Sequence, residues 1–317
     1  MMSQTPRVDV GSGRAICYSG FREGQSPATH TFPSYEEIKE DLLILHTNWK
    51  YLRLYDCDQH AETVIEVIQN ESLNFKIMLG AYIDAEENNT QCPWGGNYTE
   101  EELAVKKQRN LQQINKLITL ANKYPKIIYS LSAGNEATVD WTDHYVPVDS
   151  VINYVRMIKN ATSQPVTFCE NYIPWLNKIE KLVAEVDFIS IHTYPVWEYK
   201  SIHEAMEFTK QNYYSVADTY PNKQVVITEA GWTTNSNDIG IDSTNVCETR
   251  QQTYYHDLVS WGEKENIMIF VFEAFDELWK GSHEPMEPEK HWGLFTIDRK
   301  PKKVMRQFFP ELCNDTL

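Results

Sequence analysis

Short apolar segments alternate with longer amphipathic segments along the whole chain. Eight of the short segments are rich in β-branched and aromatic residues, and a helical pattern or a long loop follows each of them. We predict eight β-strands, over residues 14–21, 51–57, 75–84, 127–136, 165–171, 187–195, 224–232 and 267–277. Eight strands that alternate with helices are the pattern of a closed (β/α)8 barrel, which is the fold we predict.

The segments between the strands carry apolar residues at helical spacing. Two such faces comprise Ile38, Leu42 and Leu45, and Leu111, Ile114, Ile118 and Ala121. Ser34 and Glu37 have the spacing of a capping box, so the first helix should begin after Ser34. The helix before the fourth strand should end near Tyr124, because Pro125 disfavours a helical conformation in the residue before it.

The length of 317 residues exceeds that of a plain barrel, which is about 250 residues, by enough for extended loops. We expect a single catalytic domain over residues 1–317, because no linker-like composition and no internal repeat divides the chain. The net charge of −16 argues against binding to nucleic acid or to anionic lipid. The apolar segments are too short to span a bilayer. We expect a monomer with a neutral partner.

The six cysteines have an even count, but they do not indicate a disulfide framework. Cys17, Cys57 and Cys169 lie in or at the ends of predicted strands, where a free cysteine behaves as a small buried apolar residue. The other three, Cys92, Cys247 and Cys313, lie in loops, at a helix start and in the tail. We predict free thiols, and a pair among the outer cysteines stays open for an exported protein.

Residues 1–10 are polar and lack the apolar core of a signal peptide, which by itself predicts a cytoplasmic protein. A protein whose neutral partner is a bulky polymer must, however, act outside the cell. We therefore expect an exported protein whose targeting segment is absent from this chain, with a cytoplasmic location as the alternative.

Two glutamates close the apolar runs of predicted strands, almost a hundred residues apart in the chain. Glu136 ends Gly134-Asn135-Glu136, and Glu229 lies near the end of the strand that closes with Trp232. Parallel strands of a barrel bring their C-terminal ends to one face, so both carboxyl groups should meet in one cleft. Hydrolysis of a glycoside with retention needs two carboxyl groups about 5 to 5.5 Å apart. Capping of a loop is the alternative role for either glutamate alone.

Six motifs occur in an order that resembles glycoside hydrolase family 17, the β-1,3-glucanase and laminarinase family. They lie at residues 51–56, 134–136, 192–195, 228–232, 272–280 and 289–295, and the resemblance covers nearly the whole chain. The first loop, residues 17–27, is more similar to bacterial laminarinases than to plant members.

This resemblance implies that Glu136 is the acid and base and that Glu229 is the nucleophile. An acid needs a raised pKa, from burial and a negative neighbour, whereas a nucleophile needs donors that keep it ionised. Tyr194 is the expected donor to Glu229, and Asn135 is expected to bind the 2-hydroxyl group of the sugar. His192 stands where plant members more often carry an amide.

The resemblance also implies a group of residues around the cleft. Glu277, Lys280 and Glu289 could orient sugar hydroxyl groups, with a structural salt bridge as the alternative. Arg53, Tyr55 and Asp56 are expected to support the site from the second strand, with Arg53 and Asp56 as a pair. The candidates for stacking on sugar rings are Trp232, Phe275, Trp279 and Trp292. With nine tryptophans and eighteen tyrosines in the chain, several aromatic residues must belong to the core instead.

The resemblance implies a retaining endo-β-1,3-glucanase that acts on a neutral β-glucan. An exo-acting enzyme or a transglycosylase would share every catalytic residue, and a non-catalytic glycan-binding barrel is a further alternative. The chain lacks the sequence motifs of serine hydrolases, zinc proteases and nucleotide-binding proteins. We predict no metal and no organic cofactor, because two carboxyl groups and water are sufficient for the reaction.

Overall fold

The computed structural model describes residues 10–313, which form a closed barrel of eight parallel strands. The strands are β1 (Arg14–Cys17), β2 (Tyr51–Leu54), β3 (Lys76–Gly80), β4 (Ile128–Asn135), β5 (Val166–Asn171), β6 (Ile189–His192), β7 (Val225–Ala230) and β8 (Ile269–Val271). Each strand pairs with the next in the chain, and β8 pairs with β1. The prediction of a (β/α)8 barrel is confirmed. Residues 1–9, on which the expectation about targeting depended, lie outside the described residues.

Helices separate most of the strands and surround the barrel. They are α1 (Tyr35–Leu45), α2 (Gln59–Asn70), α3 (Glu100–Lys123), α4 (Val148–Ala161), α5 (Tyr172–Asn177), α6 (Glu180–Val183), α7 (Ile202–Thr219) and α8 (Glu248–Glu265). The predicted capping box of Ser34 and Glu37 is present at the start of α1. Helix α3 ends at Lys123, one residue before Tyr124, as Pro125 requires.

The buried stripe of α3 differs from the prediction at one position. Ile114 and Ala121 are buried, but Leu111 is 37% exposed. Asn110 is buried in its place, because its amide closes the loop after β3 by bonding the backbone N–H and C=O of Asp84, at 2.7 and 2.8 Å. A polar residue on the buried face therefore fixes a loop on the catalytic side of the barrel.

Every strand is shorter than predicted, and β1, β3, β6 and β8 have half the predicted length or less. Strand β1 ends at Cys17 instead of residue 21, and β8 covers Ile269–Val271 of the predicted 267–277. After β8 the chain turns to pair with a later segment, since Phe275 forms a bridge with Phe295. The register of the sheet also shifts near the ends of β4, β6 and β7, where such irregularities redirect side chains.

All six cysteines lie in the described part of the chain, and all are free thiols. Cys17, Cys57 and Cys169 are buried, as predicted from their places in strands. Cys92 is buried as well, although the sequence placed it among the outer cysteines. None of the helices within residues 10–313 combines the length and the apolar character that crossing a bilayer requires.

Candidate active site

The C-terminal ends of four strands meet at one face of the barrel and carry the candidate catalytic groups. Strand β2 contributes Arg53, β4 leads into Glu136, β6 ends at His192, and β7 carries Glu229. This is the arrangement expected of an active site on a (β/α)8 barrel.

Glu229 is a buried carboxylate that three side chains surround. Arg53 donates from Nη1 to Oε1, the Tyr194 hydroxyl donates to Oε2 at 2.5 Å, and His192 Nδ1 lies 3.5 Å from Oε2. Burial alone would raise the pKa of Glu229, but the positive charges of His192 and Arg53 and the hydrogen bond from Tyr194 lower it to about 2. A carboxyl group with this pKa is ionised at neutral pH, which is the state that a nucleophile requires.

Glu136 lies just beyond the end of β4 in a left-handed backbone conformation, with φ of 45°. Its N–H donates to the carbonyl of Cys169 at 2.9 Å, and its side chain is 26% exposed. The preceding Gly134 has φ of 114°, and a Cβ atom there would lie 2.6 Å from Ile83. Only glycine fits at that position, and the resulting turn directs Glu136 into the cleft.

His192 links the two glutamates. Its Nδ1 lies 2.7 Å from Oε1 of Glu136 and also faces Glu229. Burial opposes a charge on this ring, but the carboxylate of Glu229 and the contact with Glu136 raise the pKa of His192 to about 10. The imidazolium therefore donates a hydrogen bond to Glu136.

Glu136 was expected to have a negatively charged neighbour, but the side chain in contact with it is the cationic His192. The carboxyl groups of Glu170 and Glu289 lie farther from Glu136 than His192 does. Burial, followed by the charge of Glu136, raises the pKa of Glu170 to about 7. Burial also raises the pKa of Glu289 to about 7. The positive charge of Lys280 opposes this rise, and the negative charge of Glu136 adds to it.

The two glutamates and His192 form a compact group. One ligand-type atom of each lies within 4.8 Å of the others, and among residues 10–313 this is the single group with such spacing. A bound cation would face the imidazolium of His192 and the guanidinium of Arg53, which already contacts Glu229. The arrangement therefore suits a pair of carboxyl groups that act on a substrate better than it suits a metal ion.

Arg53 connects strands across the site, and its partner differs from the prediction. Besides Glu229, its Nη2 donates to Oδ1 of Asn135 at 2.5 Å, and its guanidinium lies 4.3 Å from the ring centre of Tyr55. The predicted pairing of Arg53 with Asp56 is wrong. Asp56 instead accepts from the backbone N–H groups of Cys57 and Tyr82, so it organises the loops after β2 and β3.

Asn135 keeps its amide oxygen occupied by Arg53, which leaves its NH2 group as the donor for a ligand. Asn135 and Glu229 are thus held by the same guanidinium. A hydroxyl group that binds Asn135 would lie beside the carboxylate of Glu229.

Lys280 lies between two buried carboxyl groups beyond β8. Its Nζ is 2.6 Å from Glu273 and 2.6 Å from Glu277, and Glu277 also accepts from the indole N–H of Trp279 at 3.1 Å. Burial raises the pKa of Glu273, and the neighbouring Glu277 adds to this against the charge of Lys280. Glu273 was not predicted as a site residue, although it lies two positions after the last residue of β8.

Three of the four aromatic residues proposed to stack on sugars lie in the protein interior. Trp232, Phe275 and Trp292 are each 1% exposed, so the prediction that they contact substrate is wrong for them. Trp232 donates to the carbonyl of Asn245, Phe275 packs on Phe295, and Trp292 packs at 5.0 Å against Tyr194, which it holds in place. Trp279 is 37% exposed and stays a candidate.

Two supporting groups near Glu136 were not predicted. Glu170 accepts from the backbone N–H and the hydroxyl of Thr138, at 2.9 and 2.7 Å, and so fixes the segment after Glu136. His144 lies between Asp143, 2.9 Å from its Nδ1, and the carbonyl of Asn135, 2.9 Å from its Nε2. Glu170 lies near the C-terminal end of β5, as Glu229 lies near the end of β7, so the sequence could have indicated it. No sequence pattern indicates His144.

Comparison with known proteins gives a consistent family. Residues 15–293 match the BtgE/BtgC glycoside hydrolase domain. A protein of Aspergillus niger named as a glucan endo-1,3-beta-glucosidase, btgC, is 27% identical over 296 residues, which is 85% of this chain and 40% of that protein. The chain thus spans about 40% of the length of such relatives.

Two solved structures are also similar to this chain. The endo-laminarinase of Formosa Hel1_33_131 is 27% identical, with a TM-score of 0.80 over 94% of this chain and 86% of that one. A β-1,3-glucanosyltransferase of Rhizomucor miehei is 22% identical, with a TM-score of 0.72 over 92% and 95% of the two chains, and it supports the fold alone.

Proposed function

We propose that this chain, which belongs to the BtgE/BtgC glycoside hydrolase family, hydrolyses β-1,3-glucosidic bonds of a neutral β-glucan. We further propose that it does so with retention of configuration and by cleavage within the chain. The observation that carries the proposal is the close approach of Glu136 and Glu229, with His192 between them.

The spacing of the two carboxyl groups favours retention over inversion. Their nearest ligand-type oxygens lie within 4.8 Å. Retaining enzymes place these groups about 5 to 5.5 Å apart, whereas inverting enzymes leave about 6.5 to 9.5 Å for a water molecule. Glu229 is therefore near enough to attack the anomeric carbon directly.

In the first step, the ionised Glu229 attacks the anomeric carbon while Glu136 protonates the departing glycosidic oxygen. Arg53 and Tyr194 hold the attacking carboxylate in one orientation and keep it unprotonated. His192 occupies Oε1 of Glu136, so the other oxygen of that carboxyl group is the one that carries the transferred proton. The product is an ester of the sugar with Glu229.

In the second step, Glu136 removes a proton from water, whose oxygen attacks the anomeric carbon and releases Glu229. The charge of Glu229 returns to the environment that stabilises it, beside Arg53 and His192. The amide NH2 of Asn135 is placed to bind the sugar 2-hydroxyl group, an interaction that strengthens as the ring becomes oxocarbenium-like.

The choice of β-1,3-glucan and of internal cleavage is supported by the names of two relatives, a glucan endo-1,3-beta-glucosidase and an endo-laminarinase. Under this proposal the protein acts outside the cell, where a polymeric substrate is found. The resemblance of the first loop to bacterial members of family 17 stays a prediction, and so does the monomeric state.

The test is to incubate the wild type, Glu229→Ala and Glu136→Ala with laminarin and with linear β-1,3-gluco-oligosaccharides. Product length and anomeric configuration are then followed over time. We expect a series of shorter products with retained β-configuration from the wild type and none from Glu229→Ala. Products longer than the substrate would reveal transglycosylation, release of glucose alone would reveal an exo mode, and inverted products would exclude the double displacement.

A further inference from the structure

Three exposed aromatic residues in the loops after β3 and β4 are not among those predicted from the sequence to stack on a sugar. Tyr82 is 40% exposed, Trp94 is 68% exposed and Trp141 is 40% exposed. All three lie in the loops that follow β3 and β4, on the catalytic face of the barrel. We infer that Tyr82, Trp94 and Trp141 form a binding subsite for the leaving-group portion of the glucan chain.

The two loops are fastened to each other, so the aromatic residues share one rigid surface. The amide NH2 of Asn89 donates to the carbonyls of Asp140 and Thr142, at 2.9 and 2.7 Å, which are the residues on either side of Trp141. Asn89 also begins the tight loop that contains Trp94, since its own N–H donates to the carbonyl of Gly96 at 2.8 Å. One buried side chain therefore positions both tryptophans.

A second contact between the loops lies directly beside Trp94. A Cβ atom added to Gly95 would be 3.1 Å from Cβ of Asp143, and the hydroxyl of Tyr98 donates to the Asp143 carbonyl at 2.9 Å. Trp94 and Trp141 are thus adjacent to the same short segment. Large aromatic side chains held in this way lose little conformational entropy when a ligand covers them.

This surface is continuous with the acid. The ring of Tyr82 lies 5.0 Å from the ring of His144, and His144 contacts the carbonyl of Asn135, the residue before Glu136. A sugar unit on Tyr82 would therefore be a near neighbour of the carboxyl group that protonates the glycosidic oxygen. The nucleophile lies on the other side of the scissile bond, so the units beside Glu136 are those that depart.

The chemistry of the surface suits a neutral polysaccharide. Flat rings cover the apolar faces of pyranose units, and carboxylates accept hydrogen bonds from their hydroxyl groups. Asp140 and Asp143 provide such acceptors, with side chains that are 65% and 47% exposed. Lys178, which is paired with Asp140 at 2.8 Å, adds a donor.

The inference depends on the proposed function for the identity of the ligand. The experiment compares the single variants Tyr82→Ala, Trp94→Ala and Trp141→Ala with Tyr214→Ala, an equally exposed aromatic (39%) on α7 at the outside of the barrel. For each protein, kcat/KM is measured on a long linear β-1,3-gluco-oligosaccharide and on a short aryl β-glucoside. We expect each tryptophan variant to lose roughly 10-fold on the long substrate, as loss of about 50 Å² of apolar contact implies.

The length dependence distinguishes a subsite from a structural role. The loss should be smaller on the aryl glycoside, whose leaving group is too short to reach both tryptophans, while Tyr214→Ala should match the wild type on both substrates. An equal loss on both substrates, or none on either, would overturn the inference.

Binding separates this inference from the proposed function. The same variants are combined with Glu229→Ala, and quenching of tryptophan fluorescence by a β-1,3-gluco-oligosaccharide is titrated. If the wild type cleaved no β-1,3-glucan, the proposed function would fail. A β-glucan that bound the Glu229→Ala protein and lost affinity in the tryptophan variants would still support the subsite, whereas unchanged affinity would overturn it.

Discussion

Replacement of Arg53 by methionine tests how the proposed nucleophile is kept ionised. The guanidinium contacts Glu229 and Asn135, and both side chains of the ion pair are nearly inaccessible, at 3% for Arg53 and 7% for Glu229. Methionine keeps an unbranched apolar chain but provides no donor. Glu229 would retain His192 and Tyr194 as partners, so part of its stabilisation should persist.

The magnitude follows from the pKa of Glu229. Burial would raise it, yet the charges of His192 and Arg53 lower it from 4.5 to about 2. In Arg53→Met this pKa should lie between these two values, and full restoration would correspond to on the order of 3 kcal/mol. A depressed carboxyl pKa stabilises the fold above pH 4.5, and that contribution is lost as the pH falls through about 2. In the variant the loss should occur at higher pH.

The assay is the pH profile of kcat/KM, together with thermal unfolding at each pH. We expect the acid limb of Arg53→Met to move to higher pH, kcat to fall on the order of 100-fold from misplacement of the nucleophile, and stability to fall by about 3 to 5 kcal/mol. Arg299→Met is the matched control, because Arg299 is an equally buried partner of a buried carboxylate, Asp41, at 2.7 Å. It should lose stability without a shift of the acid limb. An acid limb in Arg53→Met that coincides with that of the wild type would refute the reasoning.

The other predictions concern the support of the acid, the buried tryptophan and metal independence. His144→Ala should lower kcat on the order of 10-fold with little change in KM, because the segment that carries Glu136 loses a support, and His144→Gln should recover part of the loss; equal kcat values for the two variants would contradict this. Trp232→Phe should lower the melting temperature through loss of its hydrogen bond, worth about 1 kcal/mol, and leave KM unchanged, whereas a raised KM would return Trp232 to the substrate-binding residues. Treatment with EDTA should leave kcat/KM unchanged, because the protonated His192 lies between the two glutamates where a cation would bind. A loss of activity in EDTA that an added divalent cation restores would contradict this prediction.

The positions of the strands and of the two glutamates could be predicted because local patterns determine both. Each strand is a short apolar segment, and a residue at the C-terminal end of a parallel strand lies at the catalytic face. The strand ends were less predictable. The chain after β8 looks like a continued strand, but Phe275 pairs with Phe295, a contact that depends on the path of a long loop.

The contacts of individual side chains could not be predicted, because they join residues from distant elements. Asp56 is an acidic neighbour of Arg53 in the sequence. Arg53 nevertheless pairs with Glu229, because the closed barrel brings the ends of β2 and β7 close together. In the same way, Trp232 and Trp292 lie in motifs that resemble those of sugar-binding enzymes, but both rings are buried, Trp232 against Tyr254 of α8 and Trp292 against Tyr194. The joint position of Trp94 and Trp141 could not be predicted, because Asn89 joins their loops across about fifty positions of sequence.

The backbone conformation of Glu136 carries an energetic cost that the function of its carboxyl group explains. A residue with a Cβ atom held at φ of 45° is about 1 to 2 kcal/mol less favourable than in a right-handed conformation, and glycine would avoid that cost. Glu136→Gly removes the acid and the contact with His192 together with that cost, so the conformation of this residue is explained by its carboxyl group and not by the stability of the backbone. Selection of a variant library for heat resistance alone does not test that carboxyl group, so any engineering of this chain should screen for turnover and for stability together.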